Sequence, residues 1–199
     1  LVMVDHLGRL VDGDRLLYVI ALDRRQQGEL RGPVVGTVMS NLGLEQALGA
    51  AGIDFLRAAV GDRYVLDLLK RHGGVLGGET SGHLLCLDRT TTGDGLVSAL
   101  QVLAVMKRTG RSLAELAAGM AQFPQVMVNV KVRERIDPAR SPAIVAHVQR
   151  VEAALGTRGR VVLRASGTEP LIRVMVEGEE EAIVKQYAHE LAETVRQSV

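Results

Sequence analysis

A single cysteine, Cys86, stands in 199 residues. One thiol cannot form an internal disulfide, and that usage fits a reducing cytoplasm. Cys86 sits in the apolar run "HLLCLD", where a small core residue is the plainer reading and an activated nucleophile the weaker one. An excess of one charge is also missing. Lys and Arg number 24 and Asp and Glu 23, a formal net charge of +1, which argues against a general binder of nucleic acid or of a membrane surface. No apolar stretch reaches the roughly 20 residues needed to span a bilayer, and no signal peptide, internal repeat or low-complexity segment is visible. An initiator Met is absent too. The chain opens on "LVMVD", which already has the pattern of a strand, so residues 1–10 are expected to be the remnant of a preceding domain.

What is present is an ordinary globular mixture, 47% apolar and 24% charged. A chain of this length buries about 70% of its unfolded surface, enough for one large or two small cores. Val11 to Arg25 has a helical stripe of Leu16, Leu17, Ile20 and Ala21, with Asp12 or Asp14 as its cap. "GPVVGTVMS" and "IDFLRAAVG" predict strands, with a short helix between them that ends at Gly52. Asp62 is expected to cap a helix carrying Tyr64, Val65, Leu68 and Leu69. "HLLCLD" predicts a short strand. Gly95 to Arg108 predicts a helix with Leu96, Leu100, Leu103 and Met106 near one face, and Ser112 with Glu115 forms a capping box for the next. This alternation predicts a layered α/β domain with a largely parallel or mixed sheet over residues 11–123.

After Pro124 the pattern changes. "VMVNVKV" alternates, with Val126, Val128, Val130 and Val132 on one face. Ser141-Pro142 opens a helix with the stripe Ile144, Val148, Val151 and Leu155. Strands at Arg160 to Ala165 and Leu171 to Glu177 follow. A last helix from about Glu179 is expected to bury Ile183, Tyr187, Leu191 and Val195. This β-α-β-β-α order predicts a small α+β domain over residues 124–199, with helices on one face of the sheet.

Two stretches carry chemistry. In "RASGTEPLIR" a turn at Ser166, Gly167 and Thr168 can aim N–H groups inward as an anion nest, and the hydroxyls add donors. Arg164 and Arg173 flank it and match phosphate oxygens if they share a face; the bland alternative is a polar turn with solvated arginines. In "GGETSGH" the glycines forbid a helix, and Glu79, Ser81 and His83 offer an acceptor, a hydroxyl and a titratable ring, an inventory suited to sugar hydroxyls. Their spacing is too tight for a nucleophilic triad, and a plain glycine-rich hairpin is the alternative. "DGDR" at Asp12 to Arg15 has the look of a Mg²⁺ loop, though helix capping explains it more simply. In "TTTGDG", Asp94 is more simply a cap than part of an anion site.

Taken together, "GGETSGH" and "RASGTEPLIRVMVEG" resemble the α-D-phosphohexomutase superfamily. The segments "LRGPVVGTVMSNLGLEQAL", "VGDRYVLD", "LDRTTTGDGLVSALQVLA" and "FPQVMVNVKV" extend the resemblance over essentially the whole chain, toward the branch of bacterial phosphoglucosamine mutases. The resemblance implies the third and fourth of four domains, preceded by a few residues of the second. It implies that the catalytic phosphoserine and the Mg²⁺ loop belong to the full-length enzyme and lie outside this chain, which then holds no catalytic residue and no metal ligand. "DGDR" aligns instead with the first helix of the third domain.

The implied reaction interconverts glucosamine 6-phosphate and glucosamine 1-phosphate through a bisphosphate, toward UDP-N-acetylglucosamine and cell-wall precursors. By the same resemblance, Glu79 and Ser81 hold sugar hydroxyls and His83 lies near the reacting centre. Arg164, Ser166, Gly167, Thr168 and Arg173 hold the phosphate that is not reacting. Thr80 departs from the family, which usually has Asn or Gln there. The implied partners are a phosphosugar and the missing N-terminal domains, with a homodimer left open and neither nucleic acid nor membrane involved. A mutase tuned to glucose or mannose phosphates, and a stand-alone phosphosugar-binding module, are the competing readings.

Overall fold

The computed structural model describes residues 1–132, 137–166 and 169–198. The chain divides into two units, Leu1–Gln122 and Phe123–Val199. In the first, a short antiparallel ribbon of β1 (Met3–Val4) and β2 (Leu10–Val11) leads into helix α1 (Gly13–Gln27). Asp12 caps α1 by accepting from the Arg15 N–H, and Gly28, with φ 70°, ends it. Glycine adopts that left-handed geometry without the Cβ penalty. Leu16, Leu17, Tyr18, Val19, Ile20 and Ala21 are all buried, so α1 is covered on every side along this run. It is the central helix of the unit rather than a surface one.

The chain continues through β3 (Val34–Thr37), α2 (Leu42–Ala50), β4 (Phe55–Ala58), α3 (Asp62–His72), β5 (Leu76–Gly78), β6 (Leu84–Cys86), α4 (Gly95–Thr109) and α5 (Leu113–Ala117). The sheet order is β4-β3-β5-β6. β3 runs parallel to β4 and to β5, and only β6 is antiparallel. α3 packs on β3, β4 and β5, while α1 packs on β5 and against α2, α4 and α5. Cys86 is buried and burial pushes its thiol up, which suits a core residue and not a nucleophile.

Three expectations for helices need correction. Gly61, not Asp62, is the N-cap of α3, and Asp62 is already its first helical residue. On α4 three of the four stripe residues face outward: Leu96, Leu100 and Leu103 are 80%, 61% and 47% exposed, while Met106 packs against the core and Ser98, Val102 and Val105 are buried. α4 is apolar on more than one face, so periodicity alone could not choose between the stripes. In the second unit Ile183 is exposed, and Val184 and Ala188 take its place in the core.

That unit is built from β7 (Gln125–Lys131), α6 (Pro142–Leu155), β8 (Gly159–Ala165), β9 (Leu171–Gly178) and α7 (Glu181–Ser198). Its sheet is antiparallel in the order β7-β9-β8. Ser141 precedes Pro142 as expected but makes no side-chain cap bond. α6 and α7 bury Ile144, Val151, Leu155, Val184 and Leu191 against Val130, Ile172, Val174 and Val176. Side chains alternate along a strand, so Arg173, Met175 and Glu177 lie on the face away from the helices. Among the described residues no helix is long and apolar enough to cross a membrane.

Candidate functional site

Loops leaving the carboxyl ends of β3, β4 and β5 gather at one edge of the first sheet, the edge where parallel α/β sheets offer their crevice. Arg57 braces the first of them, donating to the Thr37 and Ser40 carbonyls at 3.0 and 2.7 Å while its fork holds Glu45. β5 runs into residues 79–83, where Glu79 N–H donates to the His83 carbonyl and Gly82 N–H to the Glu79 carbonyl. Gly82 turns with φ +93°. The loop lies tightly on the start of α1: a Cβ on Gly13 would stand 2.0 Å from the Glu79 carbonyl oxygen.

Glu79 Oε1 accepts from the Gly61 N–H at 2.9 Å, at the N-terminus of α3, where a carboxylate is favoured. Its Oε2 lies 3.9 Å from His83 Nδ1, and Ser81 Oγ lies 3.1 Å from the same nitrogen. A triad needs its base to meet nucleophile and acid on different ring nitrogens. Here both partners fall on Nδ1, so the cluster is a hydrogen-bonding set and not a nucleophilic relay. Ser81 and His83 are exposed while Glu79 is largely covered.

The second cluster follows from strand register. Arg164 and Arg173 are direct partners across β8 and β9, so their side chains share a face. Among the described residues neither guanidinium forms an ion pair, and the Nε of each is buried without a hydrogen-bond acceptor. Burial, and then the charge of Arg173, hold Arg164 below the ordinary arginine range. Asn129 of β7 stands opposite Arg173 on its other side, which makes a row of three. Further along the same face Arg160 is satisfied differently, by the fully buried Glu177, which also accepts from Gln125. Ser166 is buried, and its Oγ accepts from the Glu169 N–H. The predicted ligands Gly167 and Thr168 lie outside the described residues.

Two family descriptions match the chain: "Phosphoglucomutase/phosphomannomutase, alpha/beta/alpha domain III" over residues 12–123, and the C-terminal domain of the same enzymes over residues 127–194. The chain belongs to the phosphoglucomutase/phosphomannomutase family. It is 59% identical to a phosphoglucosamine mutase of Methylococcus capsulatus over 195 residues and 56% identical to one of Escherichia coli over 196. Each match takes in 98% of this chain and 44% of the relative, so the chain spans less than half the length of these proteins. The fold also matches an Aspergillus fumigatus N-acetylphosphoglucosamine mutase, with a TM-score of 0.84 at 20% identity over 99% of this chain and 46% of that one. Another structure of that enzyme, with a TM-score of 0.80 at 21% identity over 98% of this chain and 49% of that one, is a complex with GlcNAc-6P and magnesium.

Within this family member, Asp12 and Asp14 do not fit a Mg²⁺ ion. Asp12 is the cap of α1, and Asp14 is sealed in, accepting from Asn41 N–H and Thr80 Oγ1 at 2.8 Å each. Among the described residues no group of three or more His, Cys, Asp or Glu side chains gathers to hold a metal. Two residues beside the clusters escaped the sequence reading. Asp14 looked like a cap, and nothing local signals its burial. Asn129 was one polar residue in an alternating strand, and only the pairing of β7 with β9 brings it beside Arg173.

Proposed function

We propose that this chain is the sugar- and phosphate-binding part of a phosphoglucosamine mutase, an isomerase that interconverts glucosamine 6-phosphate and glucosamine 1-phosphate. The observation that carries the reading is the pair Arg164 and Arg173. Two like charges directly opposite on neighbouring strands repel, and a phosphate between two guanidinium forks would turn that repulsion into charge-assisted hydrogen bonds. Arg160, on the same face, already has its carboxylate; among the described residues Arg164 and Arg173 each leave a buried Nε–H without an acceptor. The names of the relatives supply the sugar.

In this reading residues 124–199 anchor the phosphate that is not reacting, with Ser166, Gly167 and Thr168 completing the cradle. Residues 11–123 hold the sugar, with Glu79 accepting from hydroxyls and Ser81 and His83 exchanging hydrogen bonds with them. A substrate that must turn around between two half-reactions needs one phosphate anchor that serves both orientations. The phosphoserine that gives and takes back the phosphoryl group, and the Mg²⁺ that assists it, belong to the part of the enzyme outside this chain. A cytoplasmic location and a role in amino-sugar precursor supply are part of the same proposal.

The test is calorimetric titration of the chain with glucosamine 6-phosphate, glucose 6-phosphate and mannose 6-phosphate. Glucosamine 6-phosphate is expected to bind best, and Arg173→Ala to weaken all three alike. Glu79→Gln is expected to weaken the sugar phosphates and to spare inorganic phosphate. No binding, or binding indifferent to Arg173→Ala, refutes the reading; a preference for glucose or mannose phosphate replaces the sugar. The chain alone is expected to turn over no glucosamine 6-phosphate.

A further inference from the structure

The geometry points to Asp14 as the positioning residue of the 79–83 loop: its sealed carboxylate fixes Thr80, and through Thr80 the directions in which Glu79, Ser81 and His83 leave the backbone. Its functional consequence rests on the reading of this loop as the sugar loop; the positioning itself does not.

Asp14 is fully buried in the first turn of α1. A carboxylate taken out of water is costly unless it is well hydrogen-bonded. Here Oδ2 accepts from the Asn41 N–H and from Thr80 Oγ1, and among the described residues Oδ1 finds no hydrogen-bond donor. Among the described residues no cation pairs with it. A charge held in this way is a poor source of stability. What it does is tie two loops to α1: the one after β3 through Asn41 and the one after β5 through Thr80. The Gly13 N–H donates to the Thr80 carbonyl at 3.0 Å, so both the backbone and the side chain of Thr80 are held by adjacent residues of α1. The residues on either side of Thr80 are Glu79 and Ser81, and a rotation there would turn both away.

Burial raises the Asp14 pKa to about 6, against the hydrogen bonds from Asn41 and Thr80, and the charge of Asp12 adds to the rise. Residues 38–41 carry no titratable side chain. The 79–83 loop carries Glu79 and His83, so a titration must be read at Asp14 itself.

NMR on the 199-residue chain tests this without a ligand. The side-chain carboxyl carbon of Asp14 is expected to titrate with a midpoint near 6, with the amides of Asn41 and Thr80 shifting in step. Thr80→Val exchanges the hydroxyl for a methyl group of similar shape that cannot donate. It is expected to raise that midpoint, since a donor to the charged form is gone. It is also expected to speed amide exchange over 79–83 by about tenfold while exchange in α1 and β3 holds. Thr80→Ser is expected to restore both, which a role in packing alone does not predict. Asp14→Asn is expected to abolish the titration and loosen the same loop; should it fail to fold, Thr80→Val carries the test. A midpoint near 4, or unchanged loop exchange in Thr80→Val, overturns the assignment. Titration of wild type and Thr80→Val with glucosamine 6-phosphate separates the two claims. A loosened loop with unchanged sugar binding upholds the positioning and overturns the sugar reading.

Discussion

Arg164 and Arg173 face each other across β8 and β9, and among the described residues no carboxylate pairs with either, while Arg160, four residues back on β8, closes on the buried Glu177 at 2.6 Å. The sheet face therefore contains its own control. If the open pair exists to hold an anion, removing one charge should trade function for stability. Arg164→Glu would set a carboxylate opposite Arg173. The expected outcome is a gain of about 0.2–1 kcal/mol in urea unfolding of this unit, from exchanging repulsion for a cross-strand pair. Binding of inorganic phosphate, read by ³¹P line broadening, is expected to vanish. A variant that loses stability, or still binds phosphate, removes the anion site.

Arg173→Ala is expected to cost roughly 1.5–3 kcal/mol of sugar-phosphate affinity, the worth of a charge-assisted hydrogen bond. Arg173→Lys is expected to recover little, because an ammonium cannot supply a planar fork. Calorimetry with glucosamine 6-phosphate distinguishes them. Full recovery by lysine would mean that the site needs charge and not geometry.

Glu177 is fully buried between Arg160 and Gln125. Removing one partner of a buried pair strands the other, which costs about 3–5 kcal/mol. Glu177→Ala is therefore expected to unfold residues 123–199 well before residues 1–122, and Glu177→Gln to be milder because a carboxamide still accepts from Arg160. Denaturant curves followed by NMR signals from each unit give the comparison. Equal loss in both units would mean that the ion pair is not local to this sheet.

Gly13 permits close contact rather than an unusual backbone angle, since its φ is not positive. A Cβ there would meet the Glu79 carbonyl oxygen at 2.0 Å and the Gly82 nitrogen at 2.6 Å, both backbone atoms that cannot swing aside. Gly13→Ala is expected to push the 79–83 loop off α1 and to weaken glucosamine 6-phosphate binding more than inorganic phosphate binding. Equal weakening of the two would place the effect outside the loop.

Local rules carried much of the fold. The Asp94 cap of α4, the Ser112–Glu115 capping box of α5 and the alternation along β7 all involve residues a few positions apart, and such signals are visible in sequence. The failures share a cause: each turned on a distant neighbour. Leu96, Leu100 and Leu103 form as good a helical stripe as the residues that are buried, and the choice is made by α1 and β6, which pack on the other side of α4. Asp62 has the chemistry of a cap, but Gly61 takes that position and its N–H goes to Glu79, 18 residues away. The site was legible as chemistry, in its arginines, glycines and loop carboxylate. Its register, which pairs Arg164 with Arg173 and brings Asn129 alongside, was not.

Asp14 makes the stability of residues 1–122 depend on pH. Its pKa is near 3.8 in the unfolded chain and raised to about 6 in the folded one, chiefly by burial. At pH 7 it is ionised in both states, and the fold carries the cost of a sealed charge. As pH falls through 6 the folded state takes up a proton that the unfolded state does not, so this group's contribution to stability rises until about pH 4, where the unfolded chain binds the proton too. That rise corresponds to about 3 kcal/mol. Asp14→Asn cannot take up that proton. Other carboxylates titrate in both proteins and cancel in the difference. The gap in unfolding free energy between wild type and Asp14→Asn, followed by signals from residues 1–122, is therefore expected to move in favour of wild type as pH falls from 7 to 4.5. A gap that stays constant over that range would show that Asp14 titrates as an ordinary surface carboxylate, and that the loop is held without it.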